Sequence, residues 1–120
     1  MLHVEDDTDL HQVICAMIGE RYDFELATTL ADARAMIALE RFDVVILDLG
    51  LPDGSGWDLL PFLKKQKLAP KVIILPGTEL SNAEASRVEA ALLKSRVSPR
   101  ELLDAINIRI NSSNPGGNKP

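Results

Sequence analysis

Cysteine occurs once in this 120-residue chain, at Cys15, so an internal disulfide is excluded. Lying among residues with helical spacing, that thiol reads as a small buried hydrophobe. No basic cluster is present: 13 Lys and Arg stand against 18 Asp and Glu, giving a net charge of −5 and a pI near 4.9. That balance argues against direct nucleic-acid or acidic-membrane binding. No apolar stretch nears the roughly 20 residues that cross a bilayer, and no signal-peptide pattern precedes the first apolar run. The expectation is a cytoplasmic domain without membrane contact. An apolar fraction of 46% with 26% charged residues is that of an ordinary globule, and the length suits one domain with a single core.

What is present is alternation. Apolar starts at Met1–Val4, Phe24–Ala27, Val44–Leu47, Lys71–Leu75 and Ala91–Leu93 read as strands. Between them, Leu10, Val13, Ile14, Met17 and Ile18 have helical spacing, ending near Gly19. Thr29 is placed to cap a helix carrying Leu30, Ala33 and Ile37. A helix is predicted from Gly56 or Trp57 to Lys65, with Pro61 near its first turn. Ser81-Asn82-Ala83-Glu84 has a capping-box pattern, and Ser98-Pro99-Arg100-Glu101 adds proline at the first helical position. Five strands alternating with five helices imply a three-layer, doubly wound α/β fold on a five-stranded parallel sheet. Residues 1–110 form the expected domain, and 111–120, rich in Asn, Ser, Gly and Pro, read as a linker-like tail. The opening directly inside a strand suggests a piece of a longer polypeptide.

Asp48 closes the most hydrophobic run and precedes Leu49-Gly50-Leu51-Pro52-Asp53-Gly54. Burying a carboxylate costs on the order of several kcal/mol unless something pairs with it. At the C-terminal end of a parallel strand, however, it can protrude into the crevice where such sheets bind ligands. Glu5 and Asp6 follow the first strand in the same way. Three acids at adjacent strand ends repel one another, and a hard divalent cation is the usual remedy.

With Val4-Glu5-Asp6-Asp7, the run Val45 to Gly56 and Leu92-Leu93-Lys94 in this order, the chain resembles the receiver domain of two-component response regulators over almost its whole length. The resemblance implies a flavodoxin-like (βα)5 fold whose aspartate takes a phosphoryl group from a histidine kinase or histidine phosphotransfer domain. Carried onto this sequence, Asp48 is the implied nucleophile. Asp6, Asp48 and the Gly50 backbone carbonyl are the implied Mg²⁺ ligands, with Glu5 acting mainly through a metal-bound water. Lys94 is implied to pair with Asp48 before phosphorylation and with a phosphoryl oxygen after it. Such a domain is a signalling phosphoacceptor that catalyses only its own phosphoryl transfer and dephosphorylation. The Lys94-Ser95-Arg96 segment is similar to receivers fused to hybrid sensor kinases. Asp7 reads as a helix cap, His3 as a core-strand residue and His11 as a surface-helix residue, neither histidine a phosphoacceptor.

Departures from the family pattern cluster at its switch. The position after Lys71–Leu75, where a hydroxyl residue is usual, holds Pro76, followed by Gly77 and Thr78; the usual aromatic is Ala91. Ser95 replaces a common cis-proline, so the Lys94–Ser95 peptide is expected to be trans. Residues 77–93 must hold a loop, the fourth helix and the fifth strand, so that helix must be short. The expected consequence is a small conformational response confined near the acceptor. The main alternative is a pseudo-receiver, never phosphorylated, acting as an interaction module. Two others fit less well. A haloacid-dehalogenase-type phosphohydrolase needs a carboxylate where Gly50 stands, and a flavodoxin-like flavin binder needs a hydroxyl-rich loop after the first strand.

Overall fold

The run at Val44 becomes the central strand because both of its faces meet an apolar layer. The computed structural model describes residues 1–18, 22–88, 90–93 and 98–113. In chain order these form β1 (Leu2–Val4), α1 (Thr8–Ile18), β2 (Glu25–Ala27), α2 (Leu30–Leu39) and β3 (Val44–Asp48). A hairpin of β4 (Gly50–Leu51) and β5 (Gly54–Ser55) follows, then a 3-10 turn at Gly56–Asp58 and α3 (Leu60–Lys64). The chain continues through β6 (Lys71–Leu75), α4 (Asn82–Ala85), β7 (Ala90–Ala91) and α5 (Pro99–Ser113). The main sheet is parallel throughout, in the order β2-β1-β3-β6-β7.

Strand alternation sends Val45 and Leu47 to one side, with Leu2, Val4, Val72 and Ile74, where Leu30, Ala33, Ile37, Leu60 and Leu63 cover them. Val44 and Ile46 face the other way with Ile73 and Leu75, under Ile14, Ile18, Leu102 and Ile106. Each such Val, Leu or Ile side chain contributes about 1.5–3 kcal/mol by leaving water, so the two layers outweigh any single polar contact. The result is the three-layer, doubly wound α/β fold that the alternation implied. Among the described residues, no helix is long and apolar enough to cross a membrane.

The predicted caps form. Thr29 Oγ1 accepts the Asp32 N–H at 3.0 Å; Ser81 and Glu84 close a reciprocal box at 3.1 and 2.9 Å. Ser98 Oγ accepts the Glu101 N–H at 3.1 Å, and α5 begins at Pro99. The fourth helix is short, as the spacing required.

Other expectations need correction. The helix from Gly56 to Lys65 is two pieces, because Pro61 has no N–H to offer the carbonyl four residues back and the chain restarts at Leu60. The segment after Asp48 holds a small hairpin where only a loop was expected. The last strand is Ala90–Ala91 rather than Ala91–Leu93, paired through Ile73–Ala90 and Ile74–Ala91, and β2 starts at Glu25 rather than Phe24. Helix α5 runs through Ser113, into the segment read as tail, since Asn111-Ser112-Ser113 contains neither proline nor glycine to stop it. The helix end expected near Gly19 and residues 114–120 lie outside the described residues.

Candidate metal and phosphoacceptor site

Strand register explains why the acids meet. Val4 pairs with Leu47, so Glu5 and Asp6 leave β1 at the level where Asp48 ends β3. The sheet extends from β1 to β2 on one side and from β3 to β6 on the other, so this edge is the topological switch point where a crevice opens. One carboxylate oxygen each from Glu5, Asp6 and Asp48 lies within 4.8 Å of the others. Glu5 is fully buried and Asp48 only 5% exposed, while Asp6 faces solvent. The predicted acidic trio is therefore assembled. All three donors are carboxylate oxygens, which suits a hard cation such as Mg²⁺ and not a soft one.

Backbone N–H groups orient two of these acids. Asp48 Oδ1 accepts the Leu49 N–H at 2.8 Å, and Glu5 Oε2 accepts the Asp7 N–H at 3.2 Å. Asp7 does what a helix cap does: its Oδ1 accepts the Asp9 and Leu10 N–H groups at 3.0 and 3.1 Å. Gly50 lies in the hairpin opposite Ser55, two residues past Asp48. Lys94 and the Lys94–Ser95 peptide lie outside the described residues. Pro76 is buried directly after Leu75, the residue that pairs with Asp48, whereas Gly77, Thr78 and Ala91 are exposed. The position directly after β6, at the level of Asp48, is thus occupied by a ring without N–H donor or hydroxyl.

Two features escaped the sequence reading. His11, expected on the surface, is half-buried, and its Nδ1 lies 2.9 Å from Nδ1 of the buried His3. Asp53, given no role by the sequence beyond its place in the segment after Asp48, reaches across to α2. Its Oδ1 accepts the Leu30 N–H at 2.8 Å and Oδ2 the Ala31 N–H at 3.1 Å. With Thr29 serving Asp32, the first three N–H groups of α2 all have acceptors. Neither contact has a local pattern to betray it, since each joins separate elements.

The two N–H groups hold the Asp53 carboxyl below its ordinary value of 3.8. A carboxyl that is more acidic when folded stabilises the fold above its ordinary pKa and loses that contribution as pH falls through the folded value. Asp53→Asn should therefore lower the thermal midpoint at pH 7, and the gap from the parent should close as the pH drops below about 3.8. Melting curves at pH 7 and pH 2.5 check this. A gap that is the same at both would mean that charge plays no part in fastening the hairpin to α2.

Against this geometry the relatives can be read. A family model for the response regulator receiver domain matches residues 1–107. The transcriptional regulatory protein PmrA of Pectobacterium parmentieri is 40% identical over 80 residues, covering 66% of this chain and 36% of that protein. The response regulator protein PilR of Pseudomonas aeruginosa is 33% identical over 66 residues, 54% of this chain and 15% of that protein. The chain thus spans well under half the length of these two relatives. A CheY-like receiver domain from Methanospirillum hungatei superimposes with a TM-score of 0.85 at 29% identity, over 97% of this chain and 96% of that one. The acidic trio at the β1–β3 switch point, the strand order and the match to residues 1–107 agree, and the chain belongs to the response regulator receiver domain family.

Proposed function

We propose that this domain accepts a phosphoryl group on Asp48 from a phosphohistidine of a histidine kinase or histidine phosphotransfer partner. The observation that carries the reading is the Asp48 carboxylate, 5% exposed at the C-terminal end of β3 and gathered with Glu5 and Asp6 within 4.8 Å. Asp6, Asp48 and the Gly50 carbonyl would hold Mg²⁺, with Glu5 in the outer shell. The cation, when bound, offsets charge on the incoming phosphoryl oxygens. The bond from Asp48 Oδ1 to the Leu49 N–H fixes the carboxylate's rotation, so its other oxygen is presented in one direction. Attack forms an acyl phosphate as the phosphorus–nitrogen bond to the donor imidazole breaks. Lys94 is assigned the partner's role for the acquired phosphoryl charge.

Incubation with Mg²⁺ and a small-molecule phosphodonor should add one phosphoryl mass to the protein. No added mass, while a known receiver is labelled in parallel, would leave the pseudo-receiver as the function. Beryllofluoride on a ¹⁵N-labelled sample reads the response. With Pro76 in place of the hydroxyl and Ala91 in place of the aromatic, amide shifts should stay near Asp48 and Leu49. Large shifts through Ser81–Ala91 would show that a switch operates without those two groups.

A further inference from the structure

Two leucines are left in solvent at the end of the sheet away from Asp48. Leu39, the last residue of α2, is 87% exposed, and Leu68, between α3 and β6, is 60% exposed. No other large apolar side chain among the described residues is as open. Scattered singly, such residues need no explanation. These two flank one hollow of about 260 Å³, with Ile37, Phe42 and Pro70 also lining it. The hollow forms where two neighbouring strands begin, because the Lys71 N–H donates to the Asp43 carbonyl at 2.9 Å and draws the two entry segments together. A cavity of about 150 Å³ already takes a benzene ring, so a leucine side chain fits.

Charge around the hollow is divided by side. Glu40 faces the β2 edge, where its hydrogen bond to Glu25, the first residue of β2, and the charge of that neighbour push its carboxyl up. Asp23 adds more negative charge there. Lys67 stands on the opposite side, in the segment entering β6, which β1 and β3 separate from β2. Among the described residues, no acid lies within ion-pair distance of Lys67. Between the two flanks, Arg41 Nη1 lies 3.1 Å from Asp43 Oδ1, so those charges answer each other.

A surface that binds its own copy across a two-fold axis must offer at one point what the copy needs at another. Here an exposed leucine stands beside a hollow that accepts one, and an acidic flank lies across from a basic one. A partner segment carrying one sign of charge would match one flank and be repelled by the other. We propose that this face binds a second copy of the chain, with Leu39 of each copy seated in the hollow of the other and Glu40 of each against Lys67 of the other. An apolar centre with a charged rim is the usual anatomy of such a contact. It lies at the N-terminal ends of β3 and β6, whereas Asp48 closes the C-terminal end of β3. Both acidic sites therefore stay open in the pair, and the proposal does not rest on the phosphoryl reading.

Sedimentation equilibrium of the full chain at low ionic strength tests it. The mass should rise from 13.1 kDa towards twice that value, and no further, by about 0.5 mM protein. A mass that stays at 13.1 kDa through about that concentration overturns the proposal. Growth past two copies overturns the two-fold arrangement, which uses up the patch on both partners. Leu39→Ala should weaken association about 100-fold, because the pair loses two seated leucines, each worth about tenfold or more. Leu39 is exposed at a helix end, so the denaturation midpoint of the dilute variant should match the parent. Association that survives this substitution unchanged overturns the seating of Leu39. Glu40→Lys and Lys67→Glu should each fail to self-associate alone, since like charges then meet at both contacts. Mixed in equal amounts they should form a dimer, each charge now meeting its opposite. A mixture that stays monomeric, while the parent pairs, overturns the assignment of Glu40 to Lys67.

Discussion

Gly56→Ala should cost about 3 kcal/mol or more in stability and displace Asp48, whereas Gly50→Ala should stay within about 0.5 kcal/mol of the parent. A Cβ on Gly56 would lie 2.2 Å from the carbonyl oxygen of Asp48 and 3.1 Å from Leu49 Cα. Every atom it meets is backbone, so no side chain can swing aside. The Gly56 N–H also donates to the Leu49 carbonyl at 2.9 Å, which draws the two segments together. A methyl group must break that contact or push the end of β3 away from Glu5 and Asp6. At Gly50 an added Cβ meets nothing within 4 Å. Chemical denaturation of both variants, with amide shifts of Asp48 and Leu49, checks the pair. Equal stabilities would mean that the hairpin gives way without cost and that the close approach does not position Asp48.

That contrast shows where sequence reading stops. Gly50 and Gly56 belong to the same motif, and nothing in the letters says that only one of them lies against the Asp48 backbone. The strands were legible because β3 is apolar on consecutive residues, which two covered faces require. The caps at Thr29, Ser81 and Ser98 were legible because each acts within three residues of itself. The acids were legible because strand-end carboxylates converge wherever neighbouring parallel strands stay in register. What could not be read spans elements: Asp53 capping α2 from the hairpin, or His11 reaching His3 across a helix–strand boundary. The break at Leu60 was misread for another reason. Proline is tolerated in a first turn, and the pattern does not say whether the turn before it is already helical. Pro76, expected where the family pattern has a hydroxyl residue, is buried directly after the residue that pairs with Asp48.

Asp48→Asn should abolish phosphoryl uptake and, without metal, make the domain more stable. Asparagine keeps the oxygen that accepts the Leu49 N–H, so the strand end has no reason to move. It lacks the anionic oxygen proposed to attack phosphorus, so the phosphoryl mass expected of the parent should be absent. The stability effect has the opposite sign because three carboxylates share one site. Oxygens within 4.8 Å of one another repel by on the order of 3 kcal/mol per pair at an effective dielectric of 20. Solvent around the exposed Asp6 and any attraction from Lys94 reduce this, so a net gain of about 1 kcal/mol is expected on removing one charge. Magnesium should reverse the order. At 100 times its dissociation constant a ligand that binds only the folded state adds about 2.7 kcal/mol to the parent. The variant, short of one ligand, gains less. Urea denaturation with chelator and with excess Mg²⁺ measures both signs. A variant less stable than the parent in chelator would show that Asp48 is held by net attraction, with Lys94 as the group to mutate next. A phosphoryl mass retained in the variant would place the acceptor elsewhere in the trio.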